Sequence, residues 1–244
     1  MKALILAAGF GKRLWPITKT IPKSMIEVNG TPLLVNTLNN LTQLGIYDIG
    51  IVVGHMADFI KKSIGTEWNG AKISYYDNDR FLETNNVASL FKAVDFCNDD
   101  MLMLECDIYY KKEVLEKLIA SEGDCCILVS RFNQRTMDGS VINLGDNNSM
   151  ELILGKWQNE NFDYSQAYKT VNMYRFKKDF IGKYMTLIEW YVNLMGENSY
   201  YEKVLGMLMY LRECDIRIVE VSESMWAEID NADDLNQARI KFGK

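Results

Sequence analysis

The sequence predicts an α/β protein: a Rossmann-like, mainly parallel sheet with helices on both faces, plus a small α+β subdomain carried on it. Three observations predict this. Short apolar runs alternate with helix-period segments over roughly the first 130 residues, the rhythm of a parallel sheet joined by helical crossovers. The first apolar run opens into a loop of small residues and two glycines, the usual start of a ligand-binding edge in such sheets. After Arg131 the texture changes to a hairpin pattern and two long helical segments, before a last strand and helix.

Taken in order, Ala3–Leu6 reads as a buried strand. Met1-Lys2 ahead of it faintly imitates a signal peptide, but the apolar run is too short and a charged loop follows at once. Pro32–Leu44 reads as a helix, with Thr31 as its N-cap and Gly45 just past its end. Ile49–Val53 is a strand, Met56–Ile64 a helix, Lys72–Tyr76 a strand and Asn86–Phe96 a helix. Met101–Glu105 and Cys125–Val129 are buried strands flanking a helix over Lys112–Ala120. Val141–Leu144 and Glu151–Leu154 flank Gly145-Asp-Asn-Asn148 and read as a hairpin. Thr170–Phe176 is a strand, Lys178–Met195 and Tyr200–Leu211 are helices, Ile216–Val221 is a strand and Ala232–Phe242 a closing helix. No internal repeat or Pro/Gly linker divides the chain. We therefore expect one domain over 1–244: a ligand-binding half to about 130, a lid-like subdomain over about 131–225, and a return to the core over 226–244.

The first loop, Leu6-Ala7-Ala8-Gly9-Phe10-Gly11-Lys12-Arg13, suits an anion. Glycines let the backbone approach phosphate oxygens, and successive N–H groups form a concavity for them. Arg13 and the nearby Lys23 add formal positive charge. Neither common glycine fingerprint is present: Leu14 stands where G-x-G-x-x-G needs its last glycine, and G-x-x-x-x-G-K-[S/T] is absent.

Asp107 ends a buried strand, in Met103-Leu-Glu105-Cys-Asp107, and Asp230 follows a second strand-like run, Trp226-Ala-Glu228-Ile-Asp230. Each alone could be a cap. Together at one sheet edge they could hold Mg²⁺, which takes one or two carboxylates plus phosphate and water. Glu228 shares the Asp230 strand face by alternation. Thr84-Asn85-Asn86 precedes a helix, where Asn caps well, but its amides could also read a base or ribose. Lys169 precedes a strand and, on its own, reads as a solvated strand-start lysine. Aromatics crowd the later half; most belong to the core, while Trp157 and Tyr164 are the candidates to cage a cationic group.

Composition limits the alternatives. The 244 residues carry a net charge of −6 with no basic run, which excludes a binder that relies on neutralising nucleic-acid phosphates. No apolar stretch is long enough for a membrane span. Five cysteines without C-x-x-C, and one histidine, do not make a zinc site and suit a reducing cytoplasm.

The whole string from Leu6 to Pro16, followed by Ile21-Pro-Lys-Ser24, resembles the nucleotidyltransferase family that joins an NTP to a sugar 1-phosphate or another small phosphate. The resemblance implies the nucleotide-diphospho-sugar transferase fold. It makes Lys23 and Arg13 catalytic, and places nucleotide on Leu6 to Arg13, Thr84, Asn85, Asn86, Glu105 and Asp107. Mg²⁺ falls to Asp107 and Asp230. Cys106 departs from the glycine that many relatives have before the aspartate. Glu83-Thr-Asn-Asn-Val-Ala-Ser-Leu90, Lys169-Thr-Val-Asn-Met-Tyr-Arg-Phe176 and the Trp226–Asp230 ending resemble small-molecule cytidylyltransferases of the phosphocholine and 2-aminoethylphosphonate type. That branch implies CTP and a small phosphate or phosphonate acceptor, including phosphorylated amino-acid derivatives of capsule pathways. Lys169, Trp157, Tyr164 and Glu228 are the expected acceptor contacts. A UTP- or dTTP-dependent sugar-1-phosphate enzyme and a catalytically silent nucleotide binder are the alternatives. Oligomeric state, a homodimer included, stays open.

Overall fold

A computed structural model describes residues 1–145, 150–155, 158 and 163–243. Fourteen strands are described: β1 (Lys2–Ala7), β2 (Glu27–Val28), β3 (Thr31–Pro32), β4 (Asp48–Val53), β5 (Glu67–Trp68), β6 (Ala71–Asp77), β7 (Met101–Glu105), β8 (Ile108–Tyr110), β9 (Cys125–Arg131), β10 (Val141–Leu144), β11 (Met150–Ile153), β12 (Tyr168–Phe176), β13 (Ile216–Glu220) and β14 (Trp226–Glu228). The helices are α1 (Leu33–Gln43), α2 (Ala57–Ile64), α3 (Asn86–Lys92), α4 (Lys112–Ala120), α5 (Lys178–Met195), α6 (Glu202–Leu211) and α7 (Ala232–Lys241).

One sheet carries the molecule, in the order β11-β10-β12-β7-β1-β4-β6-β5, with β9 on β12 and β13 on β9. Strands β7, β1, β4 and β6 run parallel, as the alternating pattern predicts. The alternation of β1 divides the core. Ala3, Ile5 and Ala7 face α1, α2 and α4, while Leu4, Leu6 and Ala8 face α3, α5 and α6. Both faces are covered, so the strands read as continuous apolar runs.

The later half joins this sheet through β12, which pairs antiparallel with β7 and, further along the same edge, with β10, and with β9 along its other edge. Its register on β9 shifts between Thr170 and Tyr174, and Asn172 inside the shift takes a left-handed conformation, φ 54°. The hairpin of β10 and β11 forms as expected. Positions 146–148 of its expected turn lie outside the described residues.

Some boundaries differ from expectation. Thr31 does not cap α1. It pairs with Val28 in a small antiparallel ladder, and Pro32, extended at φ −60°, is the N-cap. The helix expected over Asn86–Phe96 ends at Lys92 and continues as a single 3₁₀ turn, Val94–Phe96. All five cysteines are free thiols. Among the described residues no helix is long and apolar enough to cross a membrane.

The C-terminal return positions the site. Strand β14 pairs with β8, and the Ile229 N–H donates to the Asp107 carbonyl at 2.9 Å. Helix α7 packs Leu235 and Ala238 with Ile229 against Leu14, Ile26, Val28 and Leu33. Its capping box joins Asn231 to Asp234, whose carboxylate also accepts the Asp230 N–H at 2.9 Å. These contacts bring Asp230 beside Asp107 across more than 100 residues of chain.

Candidate active site

The loop after β1 lies at the carboxyl edge of the parallel strands, beside the ends of β4 and β7. Gly11 adopts φ +66°, and an added Cβ would lie 3.0 Å from both the Lys23 Cβ and the Thr18 Cγ2. The bare turn therefore packs directly on the Lys23 stem. At Gly9 an added Cβ would meet nothing within 4 Å, so the loop backbone there faces open space. Gly54, after β4, backs the loop: a Cβ there would sit 2.8 Å from the Ala8 carbonyl. The same carbonyl accepts the His55 N–H at 3.2 Å.

Two cavities meet on this edge. The first, about 420 Å³, is lined by the loop, by Lys23, by the Thr84–Asn86 segment and by Glu105 and Asp107. The second, about 440 Å³, extends beneath Lys169, Asn172, Glu202 and Glu228. Arg13, Asn86, Glu105, Asp107, Tyr200 and Asp230 line both. At the junction Lys23 Nζ donates to Asp107 Oδ2 at 2.9 Å and to Asp230 Oδ1 at 2.6 Å. Arg13 Nη2 reaches Asp230 Oδ2 at 2.7 Å. Burial works against the Lys23 charge, but Asp107 and Asp230 outweigh it and hold its pKa above the usual lysine value. Burial likewise pushes Asp230 up, and Lys23 more than reverses this, so its pKa is lowered.

The residues singled out in the sequence divide into three groups. Leu6, Ala7, Ala8, Gly9, Gly11, Lys12, Arg13, Lys23, Thr84, Asn85, Asn86, Glu105, Asp107 and Asp230 line the first cavity, and Lys169 and Glu228 the second. Phe10 does not line the first cavity. Its ring meets His55 edge-on at 4.4 Å, with Trp15 at 5.8 Å, and so braces the loop from behind. Tyr164 is a correction: it is 3% exposed, packs against Phe132 and Val141, and does not line the second cavity. Trp157 lies outside the described residues.

Asn85 caps α3, its side chain accepting the Asn86 N–H at 2.9 Å, so the capping alternative holds for that residue. Asn86 instead turns into the site. Its Nδ2 donates to Glu105 Oε1 at 3.3 Å and Glu202 Oε2 at 3.2 Å, and its Oδ1 accepts the Tyr201 N–H at 3.0 Å. Lys169 is not a solvated lysine. It is 2% exposed, with Nζ 3.2 Å from Glu228 and donating to the Thr170 carbonyl at 2.9 Å.

Sequence reasoning missed Asn78, Ser89, Asp138, Asn172 and Glu202. Buried Asn78 donates to Thr84 and Ser89, both at 3.1 Å, and all three line the first cavity. Asp138 stands with Glu228 and Asp230, their carboxylate oxygens within 4.8 Å of one another. Only a left-handed residue in the β12 bulge lets Asn172 reach Glu105, at 3.3 Å. No local sequence pattern announces that conformation.

Glu105 sits among three donors, with Tyr201 the shortest at 2.7 Å. Burial pushes its pKa up to about 8, and Asp107 and Glu202 push the same way. Burial raises Glu228 to about 7 against the pull of Lys169. Both acids hold protons more tightly folded than unfolded, where glutamate titrates near 4.3. Their stabilising effect is full below that value and is lost as pH rises through 7 and 8. We expect the wild-type Tm to fall from about pH 5.5 to about pH 8.5, and Glu105→Gln to flatten that slope. A variant whose melting keeps the full wild-type slope would remove Glu105 as its source.

With this geometry the comparison with known proteins is decisive. Residues 2–208 match the nucleotidyl transferase family. The chain belongs to that family. Family membership fits the fold class expected from the strand–helix rhythm and the enzymatic class that the resemblance implies. The chain is 29% identical over 244 residues to the CMP-5'-(3-aminopropyl)phosphonate synthase of Streptomyces rubellomurinus. That match takes in 99% of the chain but only 39% of the relative's length. It is 28% identical to the CTP:phosphoglutamine cytidylyltransferase of Campylobacter jejuni, over 96% of the chain and 98% of that protein. The CTP:phosphocholine cytidylyltransferase structure from Streptococcus pneumoniae superposes with a TM-score of 0.75 at 21% identity, covering 98% of this chain and 97% of that one, and shares the fold.

Proposed function

We propose that the protein is a CTP-dependent cytidylyltransferase that transfers CMP to a small phosphate- or phosphonate-bearing acceptor and releases pyrophosphate. The observation that carries this reading is Lys23, held between Asp107 and Asp230 where the two cavities meet. On this reading the first cavity takes the nucleotide and the second, which shares six lining residues with it, takes the acceptor. The choice of CTP and of the acceptor class rests on the two relatives of nearly full overlap with this chain. Products of this kind would serve phosphonate or cell-surface polysaccharide decoration.

An ionised acceptor oxygen attacks the α-phosphorus of CTP. A P–O bond forms there as the bond to the bridging oxygen breaks, and pyrophosphate leaves with the electron pair. No protein nucleophile is required, so the chain's work is positioning and charge stabilisation. The N–H groups of the Gly9–Gly11 turn, with Lys12 and Arg13, hold the triphosphate. Lys23 stands where negative charge gathers during transfer. Lys169 and the Asn86 and Asn172 amides face the acceptor.

Asp107 and Asp230 would hold Mg²⁺. The fit is physical: a single cation, the Lys23 ammonium, already touches both carboxylates, and Asp107 Oδ1 is buried without a hydrogen-bond partner among the described residues. When bound, the metal supplies charge neutralisation on the phosphate oxygens.

A pyrophosphate-release screen of CTP, UTP and dTTP with Mg²⁺ tests the reading. The acceptors are phosphocholine, 2-aminoethylphosphonate, phosphorylated amino-acid amides and sugar 1-phosphates. Release with CTP and a phosphate or phosphonate acceptor is expected. Preference for UTP or dTTP with a sugar 1-phosphate, or CTP binding without turnover on any acceptor, would overturn it.

A further inference from the structure

Lys23 places one cation in contact with both Asp107 and Asp230. The Gly11 turn packs on its Cβ and Cγ, and the side chain is only 14% exposed. Arg13 takes the second oxygen of Asp230, so three of the four carboxylate oxygens face a protein cation, and the fourth, Asp107 Oδ1, is buried without a hydrogen-bond partner among the described residues. A divalent ion that used both acids would have to enter at the ammonium's own position, because like charges a few ångströms apart repel strongly away from bulk water. The ammonium leaves only if another anion takes it up. A triphosphate seated on the Gly9–Gly11 loop is that anion, since charge-assisted bonds from lysine and arginine to phosphate are strong.

We infer that Lys23 is an internal stand-in for the metal, which closes the Asp107–Asp230 site to free divalent cations until a nucleotide's phosphates draw the lysine away. The inference rests on the metal reading of those two aspartates. It makes the metal and the nucleotide arrive together, and each strengthens the other's binding by linkage. It also spares the enzyme from being loaded by whatever divalent ion is abundant when nucleotide is scarce.

The test is Mn²⁺ binding to the full chain, followed by water-proton relaxation, which distinguishes protein-bound from free Mn²⁺–CTP and needs no turnover. Wild type should bind Mn²⁺ together with CTP but not Mn²⁺ alone. Lys23→Met, with the charge removed and most of the stem kept, should bind Mn²⁺ alone at least about tenfold more tightly than wild type. Lys19→Gln is the control. Exposed Lys19 lies close to the loop against the Trp15 ring, lines neither cavity and forms no described ion pair with a carboxylate, so its loss should leave Mn²⁺ binding as in wild type. Wild type that takes Mn²⁺ alone as tightly as it does with CTP overturns the inference, and this arm holds even if the Lys23→Met variant folds poorly. Equal gains in Lys19→Gln and Lys23→Met also overturn it, because the effect would then be general electrostatics. No Mn²⁺ binding by wild type even with CTP would instead sink the metal reading itself.

Discussion

Lys23→Ala is expected to lower turnover by about 10²–10³-fold, the usual cost of losing one preorganised charge-stabilising donor. The fall should lie mostly in kcat. The N–H groups of the Gly9–Gly11 turn, with Lys12 and Arg13, remain to bind the triphosphate, so KM for the nucleotide should rise less. Two partly buried aspartates lose their shared cation in this variant, which costs stability. Both still face the cavity, and water can take the lysine's place. A melting curve run beside the kinetics separates the two effects. Turnover near the wild-type rate in a folded Lys23→Ala protein would refute the role assigned here.

The second large effect is expected at Asp107. Asp107→Asn keeps the side chain's shape but removes its charge. Lys23 can still donate to the amide oxygen, so the junction should stay assembled. The loss should therefore appear as a failure of Mg²⁺-dependent pyrophosphate release, by at least about 10²-fold at any Mg²⁺ concentration. A Mg²⁺ titration of single-turnover release checks it. If saturating Mg²⁺ restored the wild-type rate, Asp107 would be no more than a partner for Lys23.

Much of this site was legible because its residues sit where apolar runs end. Strand ends at Ala7 and Glu105 put the glycine loop and Asp107 on one edge of a parallel sheet. The Trp226–Asp230 run could be read as a strand, but not as the partner of β8. The pairing that brings Asp230 to Asp107 joins segments far apart in the chain, and periodicity carries no such information. The same limit hid Asn78 and Glu202, whose neighbours in space come from other elements. Tyr164 shows the reverse error: an aromatic in a loop-like stretch looked available, and packing with Phe132 took it into the interior. Asn172 depends on the register shift of β12 on β9, a pairing between distant segments that no local pattern announces.

That strand has one further consequence. Because β12 is laced by main-chain bonds to β7 on one flank and to β9 on the other, the two cavities lie over one continuous sheet. Under the proposed function, the separation between donor and acceptor is thus set when the protein folds, and any gating of the reaction falls to side chains such as Lys23 and to the loops at the rim.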